Sequence, residues 1–123
     1  MHKKTPMISR HIDRGIIHQA TEHNGVLYIG GITPDDPNLD MYGQARQLFG
    51  KLKHLLHELG SDLDHVLMVT CFLVDMSRKH EMNRAWVEVF PPSIAPARVT
   101  PGIVAIEEGV LLEISVIAAK VNS

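Results

Sequence analysis

Apolar positions along the chain change period several times, and each change marks an element. Ala45, Leu48, Phe49, Leu52, Leu55, Leu56 and Leu59 fall on one stripe at helical spacing, so a helix is expected to about Leu59. Asp40 is placed to cap its amino end, and Gly60 to stop it. A second helix is expected from Ser77 or Arg78 to Phe90, its apolar side being Met82, Ala85, Trp86, Val89 and Phe90, with Pro91-Pro92 closing it. Before the first helix lie three strand candidates, Ile8 to Ile12, Ile16 to Glu22 and Val26 to Ile29. Asp13-Arg14-Gly15 turns the chain between the first two, and residues 1–7 read as a loose arm. His23-Asn24-Gly25 is a hairpin signal, because Asn-Gly tolerates the positive φ of a type I′ turn. Gly30-Gly31 ends the third strand and marks a bulge or a close approach of something to the backbone.

Between the helices, the run His65 to Val74 is apolar on both strand faces. The segment Pro96 to Ala118 reads as two strands joined by a turn at Glu107-Glu108-Gly109, the second a β-branched run of the kind buried on both faces. The order is βββ-α-β-α-ββ: an α+β domain with a single mixed six-stranded sheet and two helices on one face. Two helices cannot cover both faces of such a sheet. The bare face is expected to pack on another copy of the chain.

Two charges interrupt the last apolar segment, Arg98 and Glu113. A buried charge without a partner is costly, so each calls for a partner, a metal or a ligand. A structural Arg98–Glu113 ion pair is the simplest answer. In a hairpin turning at Glu107-Glu108, however, Glu113 stands opposite Gly102, about 13 Å along the strand from Arg98. Only a bulge or a second subunit would then bring the two together.

Composition adds limits. The 123 residues bound one domain, with 45% hydrophobic and 21% charged residues, as in an ordinary globular protein. A net charge of −2, with no basic run longer than Lys3-Lys4, gives no footprint for nucleic acid. No window approaches a membrane span, and no apolar segment follows the basic Met1-His2-Lys3-Lys4, so the chain is expected to be cytoplasmic and complete as written. The single cysteine, Cys71, sits in mid-strand and reads as a small core residue. His54 and His57 have the spacing of metal ligands, yet lie about 140–160° from the centre of the apolar stripe. They are read as a solvated face, and no metal site is assigned.

Gly31, the stretch Asn83 to Phe90, Pro96-Ala97-Arg98 and Leu112-Glu113-Ile114 together resemble the Rid/YjgF family of imine and enamine deaminases. The resemblance runs from about Gly15 to Ala118 and includes the fifteen-residue interval between Arg98 and Glu113. It implies a chorismate-mutase-like fold, a homotrimer, and a pocket between subunits for a small carboxylate. Arg98 would grip that carboxylate through paired charge-assisted hydrogen bonds. Glu113 would position or activate the attacking water. Gly31 would line the pocket with backbone groups, and Asn83 would add a polar contact. The implied reaction converts a 2-imino acid or its enamine to a 2-oxo acid and ammonia. It needs no cofactor, since an imine carbon is already electrophilic.

The chain also departs from the family pattern. Gly15-Ile16-Ile17-His18-Gln19-Ala20 stands where a Gly-Pro-Tyr-Ser-Gln-Ala run is typical, so Ile17 replaces a pocket tyrosine and His18 a serine. Gly30 replaces a common serine, and Thr100 a frequent cysteine. Pro101 follows where strand is expected, which requires an edge or a bulge there. Ile17, His18 and Thr100 thus join the expected pocket wall, and a substrate with a different or larger side chain is expected. His18 reads either as an ordinary strand histidine or as an acid–base group. The alternative to a deaminase is a trimeric protein that binds a small carboxylate without turnover. A ribonuclease is disfavoured by the net charge.

Overall fold

The computed structural model describes residues 7–121. Except for Met7, the expected amino-terminal arm lies outside them. Strands β1 (Ser9–Asp13), β2 (His18–His23) and β3 (Val26–Ile32) lead into helix α1 (Met41–Glu58). Strand β4 (Val66–Leu73), helix α2 (Lys79–Val89), β5 (Ala97–Val99) and β6 (Leu112–Ala119) complete the chain. They form one six-stranded sheet in the order β1-β2-β3-β6-β4-β5. β4 and β5 run parallel, and every other neighbouring pair is antiparallel. Because β6 is antiparallel to both β3 and β4, those two strands also run parallel to each other. Each helix therefore crosses between parallel strands, and successive right-handed crossovers in one direction lay both helices on the same face.

The capping signals act as expected. Asp40 Oδ1 accepts from Gly43 N at 2.8 Å and opens α1. Asn24 and Gly25 both take positive φ, 52° and 75°, closing the β2–β3 hairpin as a type I′ turn. Beneath the helices the core is continuous. Leu27, Leu73, Leu112 and Ile114 from the sheet meet Leu48, Phe49, Leu52 and Leu56 of α1 and Met82, Trp86 and Phe90 from the second helix and its carboxyl end. Cys71 belongs to this core, and burial pushes its thiol up to about 11, slightly opposed by the charge of Arg98. His54 projects from α1 with a side chain 78% exposed, paired with Glu58 at 2.9 Å.

Two expectations are corrected. The segment Pro96 to Ala118 is not a hairpin, because β4 lies between β5 and β6. β6 is a central strand whose ladder groups are needed on both edges, and β3 and β4 supply the partners. The turn at Glu107 does form, with Val110 N donating to Glu107 O at 3.0 Å, but it ends a loop rather than joining paired strands. In a single copy β6 is covered by helices on one side only, as two helices allow. Leu112, Ile114, Val116 and Ala118 are buried beneath the helices, while Glu113, Ser115, Ile117 and Ala119 are half-buried on the open face. The second correction concerns Ile16 and Ile17, which belong to the β1–β2 turn, 99% and 61% exposed, so that β2 starts at His18.

Candidate functional site

Arg98 sits in the middle of β5, opposite Val69 of β4. Val69 is fully buried beneath the helices, so Arg98 points to the helix side of the sheet. There its Cζ lies 4.8 Å from the centre of the Trp86 ring, and Nη1 donates to Met82 Sδ at 3.8 Å. No Asp or Glu pairs with it among the described residues. Asn83 neighbours Met82 and lies one turn before Trp86, on the same side of α2. Its Oδ1 is buried without a hydrogen-bond partner. This corner of the molecule therefore carries an uncompensated cation and an unsatisfied acceptor.

Glu113 begins on the other face. It stands opposite Phe72, in alternation with the buried Leu112 and Ile114. Its carboxylate lies over Gly31, in the irregular stretch where the β3–β6 register shifts between Ile29 and Ile32. A Cβ added at Gly31 would stand 2.2 Å from Glu113 Oε2 and 3.0 Å from Cδ. The paired glycines thus serve both expected purposes, a break in register and a close approach. Among the described residues Glu113 has neither an ion-pair partner nor a side-chain hydrogen bond.

Within one protomer these two groups do not meet. Arg98 and Glu113 are separated by two strand spacings, about 10 Å, and by three residues of register, about 10 Å more. They also project from opposite faces. The structural ion pair is thereby excluded within one chain, although for a different reason from the hairpin arithmetic. The remaining expected pocket residues are scattered. Thr100 is half-buried just beyond β5. Pro101 follows at the sheet edge, where its carbonyl accepts from Leu73 N at 3.0 Å and its missing N–H leaves no gap in a ladder. Ile17 is at the β1–β2 turn. His18 faces Asp13 and shares a strand side with the core residue Ala20, away from Glu113.

A cavity of about 590 Å³ lies between α1 and the first strands, lined by Ile12, Arg14, Gln19, Lys51 and His54 among others. Of the expected site residues it touches Gly31 alone. Met82 and Trp86, which hold Arg98, were legible in the sequence only as apolar stripe. Their i,i+4 spacing next to Asn83 was the available signal.

A mixed six-stranded sheet with both helices on one face is the fold of the solved relatives. A YjgF family protein of Neisseria meningitidis superposes with a TM-score of 0.88 at 25% identity, covering 98% of this chain and 100% of that one. A Rid family protein of Yersinia pestis gives 0.83 at 28% identity, over 92% and 99% of the two chains. A RutC family protein of Pyrococcus horikoshii is 35% identical over 112 residues, 86% of this chain and 88% of that protein. The family model described as Endoribonuclease L-PSP matches residues 14–120. The chain belongs to this family, the Rid/YjgF family.

Proposed function

We propose that the protein hydrolyses 2-imino acids, or their enamine tautomers, to 2-oxo acids and ammonia, at sites built between copies of the chain. The observation that carries this reading is the pair of uncompensated groups, Arg98 against the Trp86 and Met82 side chains of the helix that carries Asn83, and Glu113 seated over Gly31 on the other face. A structural arginine would have an acid beside it and a structural glutamate a cation; among the described residues these two have neither. Their separation favours a pocket completed by a second copy, and a trimer follows from the family resemblance. The open sheet face supports assembly, since Tyr28 and Leu67 are 48% and 49% exposed on it.

The chemistry of the two half-sites complements such a substrate. The Arg98 guanidinium takes the carboxylate through two parallel N–H···O bonds. Asn83 Oδ1 accepts from the N–H of the neighbouring imine. Glu113 takes a proton from water as its oxygen bonds to the carbon of the protonated imine, giving a neutral carbinolamine. It then passes the proton to nitrogen, ammonia leaves with the C–N bonding pair, and the hydroxyl proton is lost as the carbonyl forms. Positioning supplies much of the rate, because the imine carbon is already electrophilic. The exposed Ile17 leaves room for a substrate side chain larger than a methyl group. A cytoplasmic setting belongs to this proposal, and no helix of the described residues is long and apolar enough to cross a membrane.

A coupled assay tests it. An amino-acid oxidase generates 2-imino acids from a panel of amino acids, and semicarbazide traps what survives. Wild type is expected to reduce trapping and Arg98→Ala to lose that effect. Glu113→Gln should slow turnover by about 10²-fold or more, while product binding changes little. Binding of oxo acids with no effect on any imine would instead identify a carboxylate-binding protein without turnover.

A further inference from the structure

We propose that Trp86 is a positioning residue for the carboxylate: its indole ring holds the Arg98 guanidinium in place from one side without taking up the N–H groups that a ligand needs. This rests on the reading of Arg98 as the carboxylate grip and adds how that grip is preorganised. A free arginine side chain samples many rotamers, and a ligand must select one of them. A cation–π contact restricts the guanidinium from the ring side and occupies none of its N–H donors.

The platform itself is fixed. Trp86 is 7% exposed, tilted against Phe90 at 4.5 Å and edge-on to Phe49 at 5.8 Å. One turn earlier, Met82 Sδ accepts from Nη1 at 3.8 Å. Sulfur is a weak acceptor, so this contact steers the fork without competing with a carboxylate oxygen. A glutamate in that place would neutralise Arg98 and close the site. The arrangement of an aromatic face, a sulfur and no acid keeps the cation both ordered and available.

Trp86 is the only tryptophan in the chain, so biosynthetic replacement with mono- to tetrafluorinated tryptophan alters that ring alone. Fluorination weakens the negative potential of the ring face while nearly preserving its shape. Pyruvate binding by calorimetry is the readout, with its uncharged amide as control and a urea melt of each protein. The Kd for pyruvate is expected to rise stepwise, about 3- to 10-fold across the series, with the amide unaffected. Trp86→Leu should match the most fluorinated protein, and Trp86→Phe should fall between. A Kd independent of fluorination, with binding still lost in Arg98→Ala, would make the indole mere core filling and leave the Arg98 reading intact. Pyruvate binding equal in wild type and Arg98→Ala, or absent from wild type, would remove the carboxylate grip and the Trp86 proposal with it.

Discussion

Gly31 and Glu113 occupy one another's space across the β3–β6 pair, and this fit makes a sharp substitution test. Gly31→Ala places a methyl group 2.2 Å from the present position of Glu113 Oε2. The obstacle is the end of a flexible side chain, so the carboxylate swings aside at little cost to stability. On the proposed role of Glu113 in holding the attacking water, turnover is expected to fall about 10- to 100-fold. Steady-state imine hydrolysis beside a thermal melt checks this; full activity with Ala at position 31 would mean that Glu113 does not work from this seat. The sequence made the residues of this site legible as anomalies: a carboxylate in an apolar run, a cation near a strand start and a glycine pair. Their faces were not legible, because strand alternation assigns a face only once the register and neighbours are known.

At the scale of elements, the helices were the most legible part. A period of about 3.6 residues over α1, bounded by a capping Asp40 and a Gly60 stop, admits few other structures. The β2–β3 hairpin was equally plain from Asn24-Gly25. The partner of β6 was not, since an apolar run shows that a strand is buried but not what it pairs with. The twelve residues between β5 and β6 looked like strand and turn, yet the loop is held by a side chain the sequence did not single out. Gln44, fully buried in α1, donates through Nε2 to Gly109 O at 2.9 Å and Leu39 O at 3.0 Å, and its Oε1 accepts from Leu111 N at 2.8 Å. It ties the entry to α1 and the approach to β6 together. Gln44→Leu keeps the volume but strands these backbone groups, and a loss of about 2–3 kcal/mol is expected in urea unfolding.

For the molecule as a whole, acid is expected to loosen the sheet at its β1–β2 margin. Burial raises the affinity of Glu22 for a proton, but hydrogen bonds from His11 at 3.0 Å and Lys120 at 3.2 Å, with their charges, outweigh it and leave the carboxyl below its ordinary 4.5. A depressed folded value means stability fully present above that ordinary value and lost as pH falls through the lower one. Glu22→Gln should therefore cost about 1 kcal/mol near neutrality and progressively less below pH ~4, measured by urea titration at fixed protein concentration. Assembly has its own signature in the placement of Arg98 and Glu113 on opposite sides of one sheet. If each working pocket takes its arginine from one copy and its glutamate from the next, a protein dead at Arg98 and another dead at Glu113 carry complementary lesions. Refolded together, they should regain about a quarter of wild-type activity through random mixing, whereas each alone stays silent; no recovery would rule out a pocket shared in this way. In genetic terms, two null alleles of this single gene would rescue each other in the same cell.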